Sequence, residues 1–297
     1  MINQLKKIFP SLVVGTTEMI QSSSFCWYIM DNGEKIGIQK DELTSKDKKL
    51  LQTFLTPYKV QLPLPSEQER NWQRIINQTA TNIDIITKTP YRFVYFTMND
   101  EQIEPTVFKE SIQAMFDYPI PMLWENEREG MIIEEQPTIV EESLPYHQMI
   151  DVIMSDLYVN VHFFVGPYLN NYYDAKDQYN RILTYAKIAL SYSNKPVINY
   201  QDAMPFVLLE QTDNSFRHHL IQVTLQEFAT KQDFLKTIHT FLTCNLNISE
   251  TAKKLFMHRN SLQYRIDKFI EKTGIDIRQF HQAVTVYFAL LANMHKE

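Results

Sequence analysis

Residues 258–268 read His-Arg-Asn-Ser-Leu-Gln-Tyr-Arg-Ile-Asp-Lys. The stretch holds the forked guanidinium groups of Arg259 and Arg265, the amides of Asn260 and Gln263, the hydroxyls of Ser261 and Tyr264, the His258 ring and the Lys268 ammonium. On a helix turning about 100° per residue with Leu262 facing inward, Asn260, Gln263, Tyr264 and Asp267 fall on the outer side, Ser261 and Lys268 at its margin, and Arg259 and Arg265 beside it. Arginine pairs with guanine, asparagine or glutamine with adenine, and lysine or serine with phosphate. The face therefore has the chemistry to read base edges in a groove, and spacing alone leaves open the plainer reading of a polar surface on a helical bundle. His258 either donates to a base or phosphate or braces the turn before the helix.

Four helical patterns must position that face. Leu235, Ile238, Phe241 and Leu242 give the first an apolar side. Ser249 is the expected N-cap of a short second helix over 250–256, with Ala252, Leu255 and Phe256 facing inward and Lys253 and Lys254 adding charge near the outer face. The small Ala252 suits a steep crossing over a short turn. The third helix begins near Asn260, buries Leu262, Ile266, Phe269 and Ile270, and stops at Gly274 as a C-cap. An apolar helix from Phe280 to Met294 shelters the others. In a helix-turn-helix the second helix offers its N-terminal residues to base edges while the first crosses the phosphate backbone.

Charge is unevenly placed. The net charge is −6, yet the segment from Lys231 to the end has 10 Lys+Arg against 6 Asp+Glu, about +4, leaving about −10 on residues 1–230. A small basic module on an acidic body fits a DNA reader with a separate sensory or assembly part. The length of 297 residues allows two or three domains, and 44% hydrophobic against 22% charged residues is an ordinary globular balance. Cys26 and Cys244 lie far apart without metal-ligand spacing, so both read as small packed apolar groups in a reducing compartment. The N-terminal apolar stretch is short and cut by Pro10, and the longest apolar run, from Ala283, falls well short of a bilayer span. The expectation is a soluble cytoplasmic protein without membrane association.

Residues 1–60 read as a small α+β unit. Two strands over 25–30 and 34–39 flank Asp31-Asn32-Gly33, and a helix capped by Thr44 or Ser45 places Leu50, Leu51, Phe54 and Leu55 on one face. A Pro-rich stretch with Pro57, Pro63 and Pro65 reads as a linker, followed at Ser66 by a helix carrying Trp72, Ile75, Ile76 and Ile83. Between 89 and 199 the predicted order is β-α-β-β-α-β-α-β, that of a palm-like, nucleotidyl-cyclase type of sheet. A working cyclase needs a glycine pair and acidic residues in the hairpin, with a further carboxylate after the first strand, to hold nucleotide and magnesium. This hairpin is Asn126-Glu127-Arg128-Glu129-Gly130 with one glycine, and Asp100 has no evident partner. The sheet is expected to serve as a sensor or dimerisation module, with no catalytic residues.

Other clusters read as structural. The adjacent His218 and His219 cannot share a helix face and lack carboxylates for a metal site, so no metal and no cofactor are expected. Glu134-Glu135 and Glu141-Glu142 read as solvated, and Phe163, Phe164, Tyr168, Tyr172 and Tyr173 as core packing rather than a ligand pocket.

The segment SETAKKLFMHRNSLQYRIDKFIEKTGIDI, with its following apolar helix, resembles the C-terminal helix-turn-helix of the bacterial PucR/CdaR regulators. Their pattern is close to S-x-T-A-x-x-L-x-x-H-R-N-T-L-x-Y-R-L followed by T-G-x-D, matched here at His258-Arg259-Asn260, Tyr264-Arg265 and Thr273-Gly274. Ser261 and Gln263 depart from the usual Thr and Arg, so operator preference does not carry over. Such proteins often carry a degenerate GGDEF-like domain ahead of the module, and residues 163–190 and 197–210 resemble the end of one. The resemblance implies an oligomeric transcriptional regulator rather than an enzyme.

The expected fold is multidomain α+β. It comprises a small N-terminal α+β domain (1–60), a linker and helix (61–86), a degenerate GGDEF-type, palm-like α/β sandwich (87–200), a connector (201–232) and an all-α helix-turn-helix domain (233–297). The expected partner is double-stranded DNA, contacted through His258, Arg259, Asn260, Ser261, Gln263, Tyr264, Arg265, Lys268, Lys253 and Lys254. A homodimer or higher homo-oligomer and a small-molecule effector are also expected. The alternative is a nucleotide-binding or catalytic palm protein whose C-terminal helices make protein contacts.

Overall fold

The computed structural model describes residues 2–15, 25–30, 32–58, 62–78, 89–98, 103–135, 146–157 and 159–294. They divide into two units, one of residues 1–186 with 195–200 and one of 187–194 with 201–297.

The first unit begins with helix α1 (Ile2–Ile8) and a four-stranded antiparallel sheet of β1 (Val13–Val14), β2 (Phe25–Ile29), β3 (Lys35–Gln39) and β4 (Thr56–Tyr58), ordered β1-β3-β2-β4. Gly33, at φ 82°, turns the chain between β2 and β3. Gly37 faces Trp27 across the pair, where a Cβ would lie 2.7 Å from the indole ring. Helix α2 (Ser45–Phe54) starts at Thr44, which forms a reciprocal capping box with Asp47. Its expected apolar face is only half used: Leu51 and Leu55 are buried with Ile36 and Ile38, whereas Leu50 and Phe54 are exposed. Part of the expected linker is instead strand β4, since the sole ladder position of Pro57 lies on an edge strand that tolerates its missing N–H.

Helix α3 (Glu67–Ile76) opens at Ser66 with a second capping box, closed by Glu69. It ends at Ile76 rather than running on to Ile83, which lies outside the described residues, as do Asp100 and Glu141-Glu142. Its Trp72 is buried against Tyr91, Phe93 and Tyr172.

The second sheet has β5 (Tyr91–Met98), β6 (Met122–Trp124), β7 (Glu129–Glu135), β8 (Val161–Val165) and β9 (Val197–Asn199) in the order β6-β7-β5-β8-β9, antiparallel except for β8 with β9. Strand alternation sorts its faces. Val94, Phe96 and Met98 pack with Phe108 and Ile112 of α4 (Pro105–Gln113) and with Met149, Ile150 and Ile153 of α5 (Tyr146–Leu157). The opposite face meets α6 (Ala175–Tyr192), whose Tyr179 ring stands edge-on to Phe93 at 5.5 Å. Of the aromatic cluster, Phe163, Phe164 and Tyr172 are buried, while Tyr168 and Tyr173 are exposed. Gly130 is required by close approach, since a Cβ there would lie 2.4 Å from the Leu123 carbonyl oxygen.

Glu134 is not solvated as expected; it is 1% exposed and accepts two bonds from Arg92, at 2.6 Å from Nε and 2.9 Å from Nη2. Tyr146 and Tyr168 donate to its remaining lone pairs, and the Arg92 guanidinium lies 4.6 Å from the Tyr168 ring. Register explains the pair, because Arg92 and Glu134 are direct partners on β5 and β7. Glu135 also has a partner, accepting from Trp72 Nε1 at 3.1 Å.

The second unit is helical: α7 (Tyr200–Glu210), α8 (Asn214–Leu225), α9 (Gln232–Thr243), α10 (Ile248–Lys254), α11 (Arg259–Thr273) and α12 (Phe280–Met294). Residues 201–232, read above as a connector, form α7 and α8 and place Leu209, Ile221, Leu225 and Phe228 in one buried cluster with Ile238, Leu262, Ile266, Phe269 and Val286. Cys244 is buried and Cys26 half-buried, both as free thiols. Among the described residues no helix is long and apolar enough to cross a membrane, and no group of His, Cys, Asp and Glu could hold a metal ion. His218 and His219 both lie exposed on α8.

Candidate nucleic-acid interface

Helices α10 and α11 are joined by a four-residue turn, Leu255 to His258. Asn247, rather than Ser249, caps α10: its side-chain oxygen accepts from Ser249 N at 3.0 Å and Glu250 N at 3.1 Å. Both residue types cap well, and the helix simply begins two residues earlier than the Ser249 signal suggested. Ala252 is buried within the shared core with Leu262 and Ile266. Helix α10 ends at Lys254, so Phe256 falls in the turn and is 98% exposed instead of facing inward.

His258 caps α11 through Nδ1, which accepts from Asn260 N at 3.2 Å. The ring therefore braces the turn, and in its neutral form the outward Nε2 keeps the proton and can still donate. Gly274, at φ 73°, ends the helix in the left-handed conformation expected of it. Leu262, Ile266 and Phe269 are fully buried and fix the rotation of α11.

That rotation leaves Arg259, Asn260, Ser261 and Tyr264 exposed at the N-terminal end and on the outer face, and Lys253 and Lys254 exposed at the end of α10. Gln263 and Lys268 are half-buried at the edges. Gln263 Nε2 donates to Asp267 Oδ1 at 3.0 Å, and Lys268 Nζ lies 5.8 Å from the centre of the Tyr264 ring. Arg265 lines the same face but is also tied inward: Nη1 donates to Thr237 Oγ1 at 2.6 Å and to the Asp233 carbonyl at 3.3 Å, joining α11 to α9. A cleft of about 680 Å³ lies between the start of α9 and the first half of α11, with Lys231, Asp233, Asn260, Tyr264, Arg265 and Lys268 among its walls. Amides, hydroxyls and cations thus converge on one open face, an arrangement suited to hydrogen bonding with an anionic, groove-bearing polymer.

The hairpin between β6 and β7 offers a second cluster of carboxylates, but each already has a phenol partner. Tyr179 donates to Glu125, Tyr58 to Glu127 and Tyr95 to Glu129. Burial first, then the neighbouring glutamates, pushes the Tyr95 and Tyr179 phenols above their ordinary range, keeping them neutral donors. Tyr58 lies on β4, where Lys35 Nζ also donates to its Oη at 2.7 Å and lies 4.0 Å from Glu127, so the bonds to Glu127 clasp the hairpin to the N-terminal sheet.

Of the residues that shape this face, sequence reasoning missed Asn247 as the cap, the exposure of Phe256, and Thr237 as the partner of Arg265. The first carried a signal, an Asn two residues before the Ser taken as the cap. Thr237 carried none, since its role depends on which residue of α11 meets α9.

Comparison with known proteins places these helices. The PucR C-terminal helix-turn-helix domain matches residues 234–292. Over its whole length the chain is similar to the uncharacterized protein YxkF of Bacillus subtilis (strain 168), 31% identical over 299 residues and covering 100% of both chains. It is 24% identical over 298 residues to a leucine-rich protein of Streptococcus dysgalactiae subsp. equisimilis, covering 97% of this chain and 99% of that one. The carbohydrate diacid regulator of Escherichia coli (strain K12) is 31% identical over 94 residues, 31% of this chain and 24% of that regulator. The chain belongs to the PucR/CdaR family of transcriptional regulators.

Proposed function

We propose that α11 enters the major groove of double-stranded DNA by its N-terminal end, with His258, Arg259, Asn260, Ser261, Gln263 and Tyr264 facing base edges. Lys253, Lys254 and Lys268 lie nearer phosphate. The observation that carries this is the sorting of α11: Leu262, Ile266 and Phe269 are fully buried while Arg259, Asn260, Ser261 and Tyr264 stand exposed. Arg265 contributes by holding α11 against α9 and by its charge rather than as a free phosphate anchor.

The two sheets form the sensory or assembly part. The order β6-β7-β5-β8-β9, with helices on both faces, supports reading the second sheet as a degenerate GGDEF-type, palm-like domain. With its hairpin glutamates hydrogen-bonded to tyrosines, this sheet responds to a small molecule or joins two copies without catalysing a reaction. One short recognition helix spans few base pairs, so a homodimer on two half-sites supplies the specificity a cytoplasmic regulator needs.

Selection of bound duplexes from a random-sequence pool by the full chain tests the reading. An enriched inverted repeat, with half-sites about 10 bp apart or a multiple of that, is expected. Recovery of only unrelated sequences, bound no better than the starting pool, would rule out sequence-specific reading.

A further inference from the structure

Phe256 sits in the turn with two features that the isolated protein does not need. Its side chain is 98% exposed, and its backbone lies at φ 50°. Glycine adopts that conformation freely, and asparagine with little strain, whereas a phenylalanine there is disfavoured. The turn is closed by backbone bonds, Phe256 N to the Lys253 carbonyl at 3.2 Å and Met257 N to the Ala252 carbonyl at 2.9 Å. Glycine would make the same bonds, relieve the strain and expose no ring. A strained, solvent-facing aromatic residue therefore points to a role outside the fold.

We propose that Phe256 packs on the C5-methyl group of a thymine in the major groove and so takes part in choosing the operator, an inference that rests on the DNA reading above. The ring lies two residues before the cap of α11, at the end that offers Arg259 and Asn260. Exposed Lys253, Lys254 and Arg259 surround it in sequence, so the surface that covers it is anionic. A second copy docking there by two-fold symmetry would set these cations against their own kind. Among base edges in the major groove, the thymine methyl is the apolar one.

The test uses the full chain and a duplex that the wild type selects from a random-sequence pool, with each thymine replaced singly by uracil, which removes only the methyl. For the wild type, at least one replacement is expected to weaken binding about fourfold, the worth of one buried methyl group. Phe256→Gly and Phe256→Asn are expected to bind the selected duplex about tenfold more weakly, to be indifferent to that replacement, and to melt no lower than the wild type. Phe256→Leu is expected to retain most of the binding and the methyl dependence. The inference is overturned if Phe256→Gly binds like the wild type, or if both lose equally at every uracil. It is equally overturned if the variant changes self-association alone. Should the wild type select no duplex, or Arg259→Ala bind the selected duplex unchanged, the DNA reading itself fails and this inference falls with it.

Discussion

Arg265 of α11 donates to Thr237 Oγ1 of α9 at 2.6 Å, and Thr237 is only 2% exposed. Thr237 Oγ1 in turn donates to the Asp233 carbonyl at 3.0 Å, which also accepts from Arg265. The network fixes the angle at which α11 leaves the helical core, so a residue beside the candidate DNA face acts on that face through structure. Arg265→Ala is expected to lower stability by about 1–2 kcal/mol and to weaken DNA binding. Thr237→Val should reproduce the stability loss while keeping the charge. Melting curves and binding isotherms for both variants check this. If Arg265→Ala weakens binding with no loss of stability, Arg265 is a phosphate contact alone.

Arg92 and Glu134 form a nearly buried ion pair whose other lone pairs are met by Tyr146 and Tyr168. Removing one partner leaves a charge in the core. Arg92→Ala is expected to destabilise the first unit by about 3–5 kcal/mol, whereas Arg92→Met with Glu134→Leu should recover most of that loss. All three tryptophans, Trp27, Trp72 and Trp124, lie in the first unit, so fluorescence during urea unfolding reports on it directly.

Gln226 follows α8 at φ 47° and ψ −128°, a conformation open chiefly to glycine. Its exposed side chain makes only long bonds, 3.4 Å to the Val223 and Thr273 carbonyls. Gln226→Gly is expected to stabilise the helical unit by about 1 kcal/mol, and Gln226→Ala to give no gain. Thermal unfolding followed by circular dichroism separates the two.

Much of this architecture was legible in sequence because local signals agreed. The predicted β-α-β-β-α-β-α-β order placed β5 and the β6–β7 hairpin, Thr44 and Ser66 announced their helices, and the Leu262-Ile266-Phe269 stripe fixed the inner side of α11. The errors at Leu50, Phe54 and Glu134 share one origin, partners distant in sequence. Leu50 and Phe54 obey helical periodicity, but the small sheet is wide enough to cover only Leu51 and Leu55. Glu134 looked solvated because nothing near it in sequence announced Arg92, 42 positions away and opposite it in the ladder. Phe256 was assigned inward because the pattern was continued past Lys254, where the helix already ends.

The phenols give a pH dependence. Burial first, then Glu134, raises Tyr146 well above its ordinary value of 10.0, and burial with hairpin glutamates does the same to Tyr95 and Tyr179. Groups raised on folding contribute stability that is fully present below the unfolded value and lost as pH rises through the folded one. The first unit is therefore expected to be insensitive to these groups below pH 10.0 and to weaken above it, with the buried phenols ionising only as it unfolds. Tyrosinate absorbance recorded beside tryptophan fluorescence along an alkaline titration checks this. Full ionisation before any fluorescence change would contradict it.

The most direct test of the central claim is fluorescence anisotropy of labelled duplex DNA, selected by the protein and compared with random duplex, across a salt series. The wild type and Arg259→Ala with Asn260→Ala are measured side by side. Groove recognition by α11 requires tight binding to the selected duplex that weakens steeply with salt and is lost in the variant, with melting temperature unchanged. Equal binding of selected and random DNA by both proteins would contradict it.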